Sequence, residues 1–240
     1  MSKITIANSE QTQSERHIMT LRSKILKLST VILAVIGITF AVTHSSAFDD
    51  HNVASNLNAA SFKSVNAEFT VSTGEKIEVA ELFWFGCGHC FALEPSLKKW
   101  KKTMPANAKF VKIPAIFSSR WEFHGRAFYT MEALNVPDKA YDAFFHSIHI
   151  KRKQINSLDA LVTFLAPFEK TEEEITSAFN SFVVDSKVRT AAKISRQSGA
   201  TGVPAIVVDG KYLTTQGMAN GVNGMFETVD LLIEKAASER

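Results

Sequence analysis

The chain has 240 residues, 45% of them hydrophobic and 21% charged, a balance that supports a globular core without covalent staples. Such a length suits one domain with an insertion or two small domains. The formal net charge of +3 is local: residues 1–47 hold Lys3, Arg16, Arg22, Lys24 and Lys27 against Glu10 and Glu15, and the remainder is neutral, which argues against a broad nucleic-acid-binding surface.

In chain order, Arg22, Lys24 and Lys27 precede an uncharged run from Leu28 to Val42, followed by Ser45-Ser46-Ala47. A positive segment, a short apolar core and small residues before a break predict a secretory signal peptide over 1–47, with cleavage after Ala47. The alternative is a membrane anchor through Leu28–Val42, but that run falls short of the roughly 18 apolar residues a spanning helix needs. The polar residues before Met19 are unlike a leader, which makes Met19 an alternative start. Residues 48–66 are polar and lack strong periodicity, and read as a linker.

Glu68–Ser72 alternates weakly and is expected to form a first edge strand, ending near Gly74. Val79–Phe85 is nearly all apolar, the pattern of a strand buried on both faces of a largely parallel sheet. After Gly86 a helix is predicted from about Gly88 to Lys102, with Pro95 inside it as a kink, and Lys109–Ile113 reads as the next strand. Strand, helix and strand make one βαβ unit. From Arg120 to Lys193 apolar residues recur at helical spacing, punctuated by Pro137 and Pro167. Ala205–Val208, Asp209-Gly210 and Lys211–Thr214 form a hairpin signal, because Asp-Gly suits a tight type I′ turn. A final amphipathic helix uses Val222, Phe226, Val229, Leu232 and Ile233. The order is βαβ, a helical block, then ββα: an α/β fold interrupted by helices.

The chain has two cysteines, Cys87 and Cys90, spaced Cys-x-x-Cys. A disulfide between residues this close constrains the unfolded chain very little, so a structural staple is the weaker reading and a reactive pair the stronger. Placed where a buried strand turns into a helix, Cys87 meets free N–H groups and the positive end of the helix dipole, both of which favour a thiolate. Cys90 is near enough to resolve a mixed disulfide. A zinc half-site would need two more ligands, and neither His51, His89, His124, His146 nor His149 repeats a compact spacing with the cysteines; no metal or cofactor is expected. His89, between the two sulfurs, would favour the Cys87 thiolate; the alternative is a solvent-facing residue without a role.

Glu81 and Lys112 are single charges inside apolar strands. Buried charges pair or shift their pKa, and a carboxylate behind the cysteines would accept the Cys90 proton as that thiol attacks. The alternative places both at a solvated sheet edge. Val203-Pro204 precedes the strand Ala205–Val208. Proline is tolerated there as a strand start; a trans bond is the commoner case, and a cis bond would present a free backbone edge to an incoming peptide.

These motifs together resemble the thioredoxin superfamily, and within it the DsbA-type thiol oxidases of bacterial envelopes. The resemblance runs from about Glu68 to Lys235, through AELFWFGCGHC, Trp121 to Val136, Asn180–Val188 (NSFVVDSKV) and Gly202–Tyr212 (GVPAIVVDGKY). It implies a thioredoxin-like domain in two parts, 67–117 and 189–240, with a helical insertion over 118–188. It also implies that Cys87 is the attacking sulfur, that Cys90 resolves, that Cys87–Cys90 is a redox-active disulfide, and that Pro204 is cis beside them. Val203 is the residue typical of the oxidases, and Glu81 and Lys112 fall where the family has its buried acid and lysine. One departure stands out: Gly88-His89 replaces the common Pro-His and is similar to the dipeptide of protein disulfide isomerases. The expected partners are reduced, unfolded exported proteins and a DsbB-like quinone-linked membrane protein that restores the disulfide. The expected state is monomeric, since eighteen residues (49–66) are too few for a dimerising domain. Isomerase or reductase activity on the same fold is the main alternative, and a non-catalytic chaperone with a structural disulfide the other. The C-terminal Ala-Ala-Ser-Glu-Arg lacks an ER-retention tail.

Overall fold

A computed structural model describes residues 58–136 and 138–240. The predicted leader, the Leu28–Val42 run, Met19, His51 and Pro137 lie outside those residues. A five-stranded sheet carries the fold, in the order β1-β5-β4-β2-β3. The strands are β1 (Lys63–Ser64), β2 (Ile77–Phe83), β3 (Ala108–Pro114), β4 (Ala205–Val208) and β5 (Tyr212–Thr214). Every residue of β2 is buried: it pairs parallel with β3 and antiparallel with β4, and apolar clusters cover both faces of the sheet. Its largely apolar sequence, interrupted by Glu78 and Glu81, follows from that double burial. The expectation of a largely parallel sheet needs correction, since among the described residues only β2 and β3 pair parallel and the other pairings are antiparallel. Helix α1 (Gly88–Trp100) leaves the end of β2 and returns to β3, and runs through Pro95. The proline is exposed, so its ring faces away from the core.

Five α-helices follow β3 before the chain re-enters the sheet. They are α2 (Ser119–Ala133), α3 (Asp138–His149), α4 (Leu158–Leu165), α5 (Glu172–Phe179) and α6 (Phe182–Gln197). Ser157, Thr171 and Ser181 cap three of them with side-chain acceptors, which satisfies N–H groups that a helix start leaves open. The boundary placed at 188 falls within α6, which is continuous. Helix α7 (Val222–Ser238) closes the opposite face of the sheet, where Trp100 of α1 stacks on Phe226 at 5.1 Å and donates to Asp230 at 2.9 Å.

The hairpin between β4 and β5 has positive φ at both turn residues, Asp209 (53°) and Gly210 (67°), as a type I′ turn requires. Two expectations need correction. Glu68–Ser72 is not a strand; the edge strand is Lys63–Ser64, inside the stretch read as a linker, and it pairs antiparallel with β5. Ser72 gives both its N–H and its hydroxyl to the buried Glu78 carboxylate, at 2.7 and 2.8 Å, the Glu68 carbonyl accepts from the Gln197 side chain, and a single backbone bond from Phe69 to Gly210 does not make a ladder.

Candidate active site

The site is built at the carboxyl end of β2. The chain turns tightly after the strand, with the Cys87 N–H donating to the Trp84 carbonyl at 2.9 Å. Cys87 then caps α1 from an extended conformation (φ −87°, ψ 115°). Its sulfur accepts from the Cys90 N–H at 3.3 Å and lies 3.3 Å from the Val203 carbonyl, to which the neutral thiol donates. The Val203–Pro204 bond is cis. The two thiols are separate here, Cys87 half-buried and Cys90 fully buried.

The hydrogen bond between the sulfurs and their unequal burial split their acidities. Cys87 is lowered to about 6 from an ordinary 9.0. A hydrogen bond from the Cys90 thiol is the largest cause; burial opposes it, and the N–H groups of Cys90 and His89 and the charge of His89 add to it. Cys90 moves far upward, first because it is buried and then because it donates to, and sits beside, the Cys87 sulfur. His89 itself is exposed, which leaves its backbone N–H and its charge as its means of acting on Cys87.

Behind the sulfurs lies a buried ionic cluster. Lys112 donates to Glu81 at 2.6 Å, to Glu94 at 2.7 Å and to the Tyr141 hydroxyl at 2.5 Å, and Tyr141 donates to Glu94 at 3.0 Å. The Glu81 carboxyl is fully buried, and its Oε1 has no protein partner. Burial raises the Glu81 pKa against the pull of Lys112. For Lys112 burial works against the charge, but the two carboxylates outweigh it and hold the ammonium firmly protonated. The charge of Glu81 reaches Cys90 and contributes to its raised value. Glu81 and Lys112 are thus a buried pair and not a solvated edge.

Glu94, Tyr141 and His149 were not anticipated. Glu94 carried the same signal as Glu81: it lies four residues after Cys90, on the stripe Cys90, Leu93, Glu94 and Leu97 that α1 buries. Tyr141 repeats with Phe144 and Phe145 on the buried face of α3, a spacing that reads as core packing. His149 ends the same helix, and its Nε2 lies 2.8 Å from the Phe85 carbonyl. On the outer side, Trp84 stacks on Trp121 with centroids 4.4 Å apart and planes at 6°. Among the described residues no cluster of three His, Cys, Asp or Glu side chains has the geometry to hold a metal.

The site thus joins a helix-capping, acidified cysteine to a cis-proline and a buried carboxylate. Residues 78–232 match the DSBA-like thioredoxin domain family. The chain belongs to that family. Among its relatives, thiol:disulfide interchange protein DsbA of Pseudomonas aeruginosa is 39% identical over 165 residues, 69% of this chain and 78% of that protein. The DsbA of Azotobacter vinelandii is 37% identical over 163 residues, 68% of this chain and 76% of the relative. The crystal structure of Pseudomonas aeruginosa DsbA superposes with a TM-score of 0.70 at 36% identity, covering 75% of this chain and 95% of that one. The chain is therefore a DsbA-like thiol:disulfide oxidoreductase on a thioredoxin-like α/β fold.

Proposed function

We propose that this oxidoreductase works as a monomeric periplasmic oxidase, handing the Cys87–Cys90 disulfide to reduced, unfolded exported proteins. The observation that carries the reading is the inequality of the two sulfurs: one half-exposed with a pKa near 6, the other buried with a pKa raised well above the ordinary value. A substrate thiolate attacks Cys87, the Cys87–Cys90 bond breaks, and Cys90 leaves with the electron pair and takes up a proton. A second substrate thiolate then attacks the substrate sulfur of the mixed disulfide and expels Cys87. Because Cys87 is the more acidic sulfur, it leaves readily. Two electrons pass from the substrate dithiol to the enzyme, and a DsbB-like quinone-linked membrane protein removes them.

Glu81, whose charge reaches Cys90, would exchange the Cys90 proton, its raised pKa bringing it closer to the working pH of a general base. Lys112 holds that carboxyl in place. The backbone at Val203 and Pro204, whose Val203 carbonyl lies 3.3 Å from the Cys87 sulfur, would receive the substrate chain. Export rests on the basic segment and apolar run of residues 22–42; among the described residues no helix is long and apolar enough to cross a membrane. A sheet-forming domain in two parts with helices inserted between is supported by the return of the chain to the sheet at β4, although β1 precedes residue 67 and α6 runs through residue 188.

The test is equilibration of the mature protein with glutathione, joined to refolding of a reduced multi-cysteine substrate. A pair reduced even by oxidising glutathione mixtures, with fast oxidation of the substrate, is the expected result. A dimer that rescues scrambled substrate faster than it oxidises reduced substrate would overturn the assignment in favour of an isomerase.

A further inference from the structure

Resting on the exchange-active reading of Cys87, we infer that His149 is a positioning residue that clamps the backbone on both sides of the cysteine pair. The argument begins at Gly86. A Cβ at that position would lie 2.3 Å from the Trp84 ring, so the packing of the indole admits only glycine. Glycine is also the residue that leaves its backbone least restrained, and here it immediately precedes the nucleophilic sulfur. The Phe85–Gly86 peptide plane is free to turn unless something outside the loop holds it.

His149 supplies that hold. Its Nε2 sits 2.8 Å from the Phe85 carbonyl. A carbonyl only accepts, so Nε2 carries the proton and donates. Phe85 lies beyond the end of β2, and among the described residues no backbone N–H meets its carbonyl. The same imidazole stacks on Phe91, with centroids 5.0 Å apart and planes at 11°, and is backed by Phe145 at 5.9 Å. Phe91 follows Cys90 and lies in the first turn of α1. One side chain from the inserted helices therefore fixes the peptide before Cys87 and the turn after Cys90. Between those two points lies the N-cap geometry that sets the Cys87 sulfur 3.3 Å from the Cys90 N–H. If the peptide plane before Cys87 turns, that sulfur loses its alignment with the helix N–H groups, and thiolate is lost although the fold survives.

Two substitutions separate the hydrogen bond from the stack. H149F keeps an aromatic ring on Phe91 but donates nothing, and H149Q keeps an N–H donor without the ring. The readouts are alkylation of Cys87 in the reduced protein at pH 5–6, where the rate follows the thiolate fraction, and the midpoint of thiolate absorbance near 240 nm; thermal unfolding checks the fold. H149F is expected to slow alkylation about tenfold, the equivalent of one ordinary hydrogen bond, and to raise the thiolate midpoint, while H149Q restores both. H149F matching the parent overturns the clamp, as does H149Q being as slow as H149F. A loss of fold in both variants also overturns it and assigns His149 to core packing. The parent is its own control: a Cys87 that alkylates sluggishly at pH 6 in the unmodified protein overturns the exchange-active reading, independently of His149.

Discussion

Acidification should remove stability from the reduced protein while sparing the oxidised one. In the folded reduced chain the Cys87 pKa is depressed, about 6 against an ordinary 9.0. A depressed pKa contributes stability that is complete above the unfolded value and is lost as the pH falls through the folded value. With those two values, linkage gives about 1.4 kcal/mol at pH 7 and less than about 0.1 kcal/mol at pH 5. Cys90 adds nothing in this window, since its pKa is raised in the fold and an unfolded thiol also keeps its proton below pH 8. Solvent reaches the half-buried Cys87, so about 1.4 kcal/mol is an upper value. Glu81 runs the other way: its pKa is raised, so its contribution is complete below pH 4.5 and is lost as the pH rises through the folded value. That loss occurs in both redox forms and largely cancels between them. Urea unfolding of reduced and oxidised protein at pH 5 and pH 7, taken as a difference of differences, isolates the Cys87 contribution. It should favour the reduced form by up to about 1.4 kcal/mol on going to pH 7, roughly 30 mV of added oxidising power. Equal pH responses in the two forms, or a reduced form that gains on acidification, would refute the thiolate argument.

Two further perturbations address the buried cluster. Lys112→Met strands Glu81 and Glu94 without their cation and should cost about 3–5 kcal/mol at neutral pH, read as a lowered Tm; a melting point equal to the parent's would mean that the carboxyls are already neutral. Glu81→Gln keeps the shape and removes the proton acceptor, so attack by Cys90 on a mixed disulfide should slow by about tenfold or more while the first attack on Cys87 is unchanged, as followed by stopped-flow quenching. Equal rates in mutant and parent for both steps would make the carboxylate a spectator.

Much of this was legible before any coordinates. β2 and β4 declared themselves because a doubly buried strand has no polar alternation to blur it, and Asp209-Gly210 because few dipeptides accept positive φ twice. Cys87 and Cys90 were visible as a pair, and Glu81 and Lys112 as charges out of place on apolar strands. Other features were not. Lys63–Ser64 pairs over two residues, too short to leave a period, whereas Glu68–Ser72 alternates but scatters its polar groups among Gln197, Gly210 and Glu78. Glu94 sat out of place on the apolar stripe of α1 as Glu81 did on its strand, but Tyr141 looked like an ordinary member of an amphipathic helix, and only the packing of α3 against α1 brings both to Lys112. His149 was weighed as a metal ligand because its spacing was all the sequence offered. The carbonyl it serves lies 64 residues earlier in the chain.

Two glycines bracket Cys87, and they are there for different reasons. Gly86 is dictated by packing, because the Trp84 indole, itself stacked on Trp121, occupies the space of any side chain. Gly88 is not: a Cβ there meets nothing within 4 Å. It is also the first residue of α1, where the N–H has no partner within the helix and proline is well tolerated. The departure from Pro-His thus falls where the surroundings impose nothing on the side chain. What a residue at 88 alters is the freedom of the backbone, and glycine loses the most on folding. In the oxidised chain the ring closed by Cys87 and Cys90 restrains position 88 in the folded and unfolded states alike. In the reduced chain no such ring exists, so the full entropic cost of ordering Gly88 falls on the reduced form. Gly88 therefore works against the bias that the Cys87 thiolate creates. The bond from the Cys90 thiol and the helix N–H groups together favour the Cys87 thiolate and so the reduced form, and one flexible residue inside the same tetrapeptide opposes that bias.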